Sequence, residues 1–204
     1  LTEVIKEENP VSSEKAASIL NRGGIIIYPT ETLYGIGTDA MNQEAVRRVF
    51  AIKGREEDKP VPILIRDRYM FDEFAEIPEL GNLLIDRFLP GPLTLVLKKK
   101  KDFPGIITAE SEKVAMRISG HPFVKRLFES LSGPITSTSA NLSGMGNVYD
   151  FKSVFETFNG KVELIVDSGT LQRSKGSTIV DLTVTPPSIL REGDISRELL
   201  EEFF

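Results

Sequence analysis

The sequence predicts one α/β (α+β) domain built on a twisted, mixed parallel and antiparallel sheet with flanking helices and a basic cleft. Three observations predict it. Apolar runs of strand length interleave with amphipathic helical patterns along all 204 residues, with no linker, repeat or low-complexity segment between them. The late strand candidates follow one another without intervening helices, which argues against a fully parallel, doubly wound sheet. At 40% apolar and 27% charged residues, the chain has the apolar mass for a proper core and an ordinary polar surface.

Ser12-Ser13-Glu14-Lys15-Ala16-Ala17 opens the first helix, with hydroxyls to cap it and Gly23-Gly24 to stop it. Ile25 to Tyr28 reads as a buried strand, apolar on both faces and ended by Pro29. The polar stretch Thr30 to Asp39 follows, with no regular element assigned to it. Asn42 caps a helix whose Ala45, Val46, Val49 and Phe50 share one face. Val61 to Ile65 is a second strand, its Pro62 marking an edge or a strand start. A helical pattern covers about Pro78 to Phe88 and stops at Pro90-Gly91-Pro92. Leu93 to Leu97 and Val114 to Ile118 are strands, His121-Pro122 starts a helix to about Leu131, and Ile135 begins another strand. Leu164 to Val166, Ser177 to Val180 and Ile189-Leu190 complete a strand-rich second half, and 195–204 is a short acidic amphipathic helix. Lys98 to Lys101 reads as the solvated end of a hairpin, with a phosphate or nucleic-acid contact as the other reading.

Composition excludes several chemistries. Without cysteine there is no disulfide framework, thiolate zinc site or cysteine nucleophile. The one histidine, His121, cannot make a multi-histidine metal site, and with no G-x-S-x-G elbow it reads as a helix-start residue. A net charge of −5 argues against a protein that coats nucleic acid, although a local basic cleft can hide in that average. No apolar run approaches the roughly 18 residues of a membrane span. A cytoplasmic location with no membrane partner is the expectation.

Three polar segments remain as candidates for chemistry. Gly35-Ile36-Gly37-Thr38-Asp39-Ala40 fits the G-x-G-x-x-[GA] pattern, but six residues separate it from the strand end, which excludes a Rossmann turn. There is no Walker A sequence, and Ser12-Ser13-Glu14-Lys15 lacks the companions of an S-x-x-K nucleophile. Pro29-Thr30-Glu31-Thr32-Leu33-Tyr34-Gly35 crowds hydroxyls, a carboxylate and a phenol after a buried strand, where a loop lines a cleft. Lys53-Gly54-Arg55, with Lys59 beyond, sits in a stretch from Arg47 to Arg68 that holds seven basic and four acidic residues. This local +3 marks an anion site. Thr136-Ser137-Thr138-Ser139-Ala140-Asn141-Leu142-Ser143-Gly144 puts small hydroxyl and amide donors at a strand exit, which suits phosphate or carboxylate binding.

Taken in order, Gly24 to Gly35, Lys53-Gly54-Arg55, Ser139-Ala140-Asn141, Ser177-Thr178-Ile179-Val180-Asp181 and Leu190-Arg191-Glu192-Gly193 resemble the YrdC-like family over about residues 10–195. The expectation is its short, single-domain form, without the further C-terminal domain of longer members. The resemblance implies a threonylcarbamoyl-AMP synthase: a nucleotidyltransferase that joins L-threonine, bicarbonate or CO2, and ATP, with Mg²⁺ on the triphosphate and no metal held by side chains. It implies Lys53, Arg55, Ser139 and Asn141 as the catalytic tetrad. Arg55, Lys59, Ser139, Asn141, Asn147 and Arg191 are implied around the nucleotide, and Thr32, Arg117, Ser137 and Ser177 around the threonine. Arg117 is expected to pair the amino-acid carboxylate bidentately. The product would pass to a tRNA t6A transferase complex, with weak tRNA binding alongside. Lys113 and Ser119 stand where the family pattern has a small or apolar residue and a proline, and Asn147 where serine is frequent. Two other readings compete: a non-catalytic RNA-binding module (for tRNA, double-stranded RNA or the ribosome) and carbamoyl transfer in hydrogenase maturation. The latter lacks its zinc-finger cysteines here.

Overall fold

The computed structural model describes residues 1–204. In chain order the elements are β1 (Glu3–Lys6), α1 (Ser12–Leu20), β2 (Ile26–Pro29), β3 (Tyr34–Gly37), α2 (Gln43–Lys53) and β4 (Ile63–Leu64). There follow α3 (Arg68–Phe74), β5 (Ala75–Glu76), α4 (Glu79–Phe88), β6 (Leu93–Lys99), α5 (Gly105–Thr108), β7 (Lys113–Arg117) and α6 (Pro122–Phe128). The chain ends with β8 (Ile135–Thr136), β9 (Thr138–Ser139), α7 (Phe151–Phe158), β10 (Leu164–Asp167), β11 (Thr178–Asp181), β12 (Ser188–Arg191) and α8 (Arg197–Glu201).

Mixed pairing holds as expected, and the strands divide between two sheets. The first has the order β1-β10-β2-β3-β9, parallel across β1, β10 and β2 and antiparallel beyond. The second runs β12-β11-β6-β7-β4-β8, with β5 added beside β6. The chain crosses from one sheet to the other within three residues: Thr136 pairs with Ile63 in the second sheet, Thr138 with Ile36 in the first, and Ser137 lies between. Around this seam the Ser137 N–H donates to the Pro62 carbonyl and the Thr136 N–H to that of Thr38.

The two sheets bury their faces differently. In the first sheet Ile26, Tyr28, Leu164 and Val166 pack with α1 and α6, while Ile25, Ile27 and Ile165 pack against Val154 and Phe158 of α7. Both faces are covered, which is why Ile25 to Tyr28 is apolar at every position. In the second sheet one face is core, carrying Leu93, Leu95 and Leu97 of β6, Val114 and Met116 of β7 and Val180 of β11. The alternate positions, Thr94, Val96, Ala115, Arg117 and Ile179, face a cavity instead.

Local chemistry explains most boundaries. Asn42 caps α2 by accepting from the Ala45 N–H, and Ala45, Val46, Val49 and Phe50 are the buried face, as the periodicity requires. His121 is a cap too, its Nδ1 accepting from Phe123 N–H. The capping hydroxyls expected at α1 are corrected: its N-cap is Val11, without a side-chain bond, and Ser12 Oγ donates to the Glu7 carbonyl. Seven elements lie outside the expectations: the short strands β1, β3, β5 and β9, the one-turn α5, α3 capped by Asp67, and α7 capped by Asp150. Strand β3 forms because Thr30 closes a turn with Leu33, letting Tyr34 to Gly37 pair back on β2. Lys98, Lys99 and Lys101 are matched by Glu76, Glu112 and Glu73, so the lysine run is a charge-paired hairpin surface. No helix is long and apolar enough to cross a membrane.

Candidate active site

Two adjoining cavities of about 290 and 460 Å³ open at the seam and share Arg55, Thr138 and Ser139. All eleven residues singled out from the sequence line one or the other. Thr32, Arg117, Ser137, Asn147, Ser177 and Arg191 line the first, Lys53, Lys59 and Asn141 the second, and Arg55 and Ser139 both. The first cavity contains four cationic residues, Arg55, Arg117, Lys175 and Arg191, and no carboxylate. Its electrostatics favour an anion.

Lys53 ends α2, where Gly54 at φ 60° turns the chain and leaves Lys53 buried. Its ammonium donates to the carbonyls of Ser139 (2.5 Å) and Asn141 (2.6 Å), and the Ser143 N–H returns a bond to the Lys53 carbonyl. Lys53 is therefore a clamp on the 139–143 loop. Burial, then the charge of Arg55, lowers its pKa to about 8. Ser139 Oγ donates to Asn141 Oδ1 at 2.6 Å, and the Asn141 amide donates to the Met145 and Gly146 carbonyls.

Arg55 projects from the turn after Gly54. Its Nε and Nη2 donate to the carbonyls of Lys59 and Pro60 at 3.1 and 2.8 Å, and Phe50 lies under the guanidinium. No carboxylate pairs with it, so its charge is available to a ligand. Lys59 is exposed and bound to Glu56, and reaching a ligand means leaving that partner. Asn147 is more peripheral, donating to the Tyr149 hydroxyl at 3.4 Å.

At the other end of the first cavity, Arg117 leaves β7 buried, its Nε donating to the Gly91 carbonyl at 2.9 Å. Nη2 pairs with Glu31 Oε1 at 2.7 Å, and both terminal nitrogens stand 3.4 Å from Thr32 Oγ1. In this arrangement the guanidinium edge faces Thr32 and its charge is matched by Glu31. Burial would raise the Glu31 carboxyl, but Arg117, the Ser119 hydroxyl and the Gly120 N–H outweigh it and hold it below the usual carboxylate range. Across the cavity, Arg191 has no carboxylate; Nε and Nη2 donate to the Ser177 carbonyl, and Nη2 also reaches Ser177 Oγ at 3.1 Å. Burial and then the Arg117 charge lower the Arg191 pKa, consistent with two guanidinium groups facing one space.

The local +3 between Arg47 and Arg68 therefore gives only part of the site. Arg48, Arg66 and Arg68 pair with Glu163, Asp67 and Asp72, and the cavity draws its other cations from β7, β12 and the loop before β11. Sequence reasoning missed Glu31, Ser119, Thr94 and Lys175. Glu31 alone left a signal, as a carboxylate inside the Thr30 to Tyr34 segment. Lys113, off the family pattern, pairs with Asp181 at 2.9 Å.

Comparison with known proteins gives relatives of similar sequence and fold. A curated relative from Pyrococcus abyssi named threonylcarbamoyl-AMP synthase is 40% identical over 92% of this chain. One of the same name from Pseudoalteromonas translucida is 36% identical over 81% of the chain and 90% of its own length. The crystal structure of Pyrococcus abyssi Sua5 complexed with L-threonine superposes with a TM-score of 0.93 at 37% identity, covering all of this chain and 60% of that one. The chain spans 55% of the length of the first of these relatives. The profile of the Sua5/YciO/YrdC family, described as "Telomere recombination", matches residues 18–193, and the chain belongs to that family.

Proposed function

We propose that the chain makes threonylcarbamoyl-AMP and pyrophosphate from L-threonine, bicarbonate or CO2, and ATP. One observation carries the reading: a carboxylate-free cavity with four cations and buried hydroxyls opens at the seam onto a second cationic cavity. The names of the relatives support it. In the reaction, the threonine amine adds to CO2 and gives up a proton to solvent. A carbamate oxygen then attacks the α-phosphorus, and pyrophosphate leaves. No covalent enzyme intermediate is required, so positioning and charge stabilisation are the protein's contribution.

The nucleotide belongs at the shared mouth, where Arg55, Lys59, Asn141, Ser139, Asn147 and Arg191 offer cations and amides. Lys53 holds the Ser139–Asn141 loop against it. The amino acid belongs between Thr32, Ser137, Arg117 and Ser177, with Arg191, which lacks a carboxylate, supplying charge to its carboxylate. No group of three or more His, Cys, Asp or Glu side chains converges anywhere in the chain. In this reading Mg²⁺ arrives as the counter-ion of ATP, held chiefly by its phosphates.

Residues of about 10–195 form the catalytic unit in this reading, followed by the C-terminal helix. Cytoplasmic work and transfer of the product to a tRNA t6A transferase complex belong to the same proposal. The non-catalytic RNA-binding reading has no observation in its favour, because the lysine run is charge-paired and the relatives are named as synthases. The test is incubation with ATP, Mg²⁺, L-threonine and labelled bicarbonate. Label trapped in a threonyl adenylate is the expected result, and ATP cleavage that ignores threonine rejects the reading.

A further inference from the structure

Thr94 is the one polar residue among the first five positions of β6. It lies between Leu93 and Leu95, both fully buried in the core, and is itself 1% exposed. Its side chain takes the opposite face, toward the cavity. The parallel register of β6 with β11 sets Thr94 against Ile179, which brings the start of β11 and the preceding Ser177 alongside. Thr94 Oγ1 donates to Ser177 Oγ at 2.9 Å, and the Thr94 hydroxyl has no other partner.

A serine hydroxyl has two lone pairs and one proton. At Ser177, Thr94 fills one lone pair and Arg191 Nη2 the other, at 3.1 Å. The Ser177 proton donates to nothing in the protein, and the side chain lines the cavity. With both acceptor positions filled, Ser177 can only donate. The structure assigns Thr94 as a positioning residue that fixes Ser177 as an obligate hydrogen-bond donor to an acceptor oxygen of the cavity's ligand, the carboxylate of an amino acid. This rests on the amino-acid subsite proposed above. It also gives the site selectivity, since an uncharged donor group such as an amide nitrogen placed there would meet a proton rather than a lone pair.

The test is the Michaelis constant for L-threonine, beside calorimetric binding of L-threonine, in wild type, Thr94→Val, Thr94→Ala and Thr94→Ser. Thr94→Val keeps the volume and removes the hydroxyl; Thr94→Ala does so without demanding room for a second methyl. Both are expected to raise the KM and Kd for threonine about tenfold with kcat within about twofold of wild type, while Thr94→Ser stays close to wild type. In a Ser177→Ala background, Thr94→Val should add nothing, because the residue acts through Ser177. An unchanged or lowered KM in Thr94→Val and Thr94→Ala overturns the assignment, as does an undiminished effect without Ser177. If wild type itself binds no threonine, the functional reading fails and the assignment with it. If wild type binds and the Thr94 variants bind equally well, the assignment alone fails.

Discussion

Arg117 Nη2 and Glu31 Oε1 meet at 2.7 Å beneath the first cavity, joining the end of β7 to the turn between β2 and β3. The guanidinium is nearly inaccessible to water, whereas Glu31 keeps about a quarter of its side-chain surface exposed. Ser119 and Gly120 complete the Glu31 carboxylate from the far side. Glu31 thus sets where Arg117 points and leaves Arg191 as the carboxylate-free cation facing it. Glu31→Gln should lower stability by about 2 kcal/mol in a urea melt, because a buried guanidinium loses its counter-charge. The freed Arg117 should also let the KM for threonine change without a matching change in the KM for ATP. An unaltered melt would show that the pair contributes nothing.

Arg55 is bound only to carbonyls and lies where the two cavities join. Arg55→Ala leaves α2 and its αL glycine intact, so the melting temperature should stay within a few degrees. Threonine-dependent pyrophosphate release should fall about a hundredfold in kcat/KM for ATP. Retained turnover would remove Arg55 from the nucleotide site.

Gly37 carries a structural load that its G-x-G context conceals. A β-carbon there would lie 2.7 Å from the Thr136 carbonyl oxygen and 2.8 Å from the Tyr28 ring. Neither neighbour can yield: one is backbone at the seam and the other a fully buried ring. Gly37→Ala should cost about 2 kcal/mol by overpacking, and it should reduce activity because Ser137 follows Thr136 directly. Gly144→Ala is the contrasting control for space, with nothing within 4 Å, although its φ of +81° adds backbone strain of its own.

The sequence revealed the fold wherever one side chain or one period decided the outcome. Asn42, the all-apolar β2 and the alternation of β6 are such cases, each confirmed by a cap or a covered face. It concealed β3 because Tyr34-Gly35-Ile36-Gly37 has glycine at the two positions crowded by the Tyr28 ring, and glycine carries no strand propensity. Helix α7 was readable in principle, from Asp150 as a cap and Val154 and Phe158 four residues apart. Seven of the eleven cavity-lining residues were legible in the ordered motifs, each local in sequence, while Lys59, Arg117, Ser137 and Asn147 took their site roles only from the resemblance those motifs carry. Glu31, Ser119 and Thr94 were not legible, since each acts on a side chain 83 to 88 positions away that only the folded sheets bring near. The local +3 between Arg47 and Arg68 misled for the same reason, counting Arg66 and Arg68 that pair elsewhere and omitting Arg117 and Arg191.

Lys53 predicts a pH dependence with opposite signs for activity and stability. Its ammonium is charged below about 8 and holds the Ser139 and Asn141 carbonyls, so kcat/KM at low ATP should fall as pH rises through that value. Stability responds the other way. The folded pKa lies below the value of about 10.4 for a lysine in an unfolded chain. Between the two the unfolded state binds more protons, and stability therefore rises with pH across that window. Lys53→Met should abolish both effects: a low activity without the alkaline fall, and a flat stability between pH 8 and 10 apart from contributions common to wild type. The measurement is a pH series of initial rates beside urea melts. An alkaline fall in activity that persists in Lys53→Met assigns the titration to another group, and a stability rise that persists does the same for the folding term.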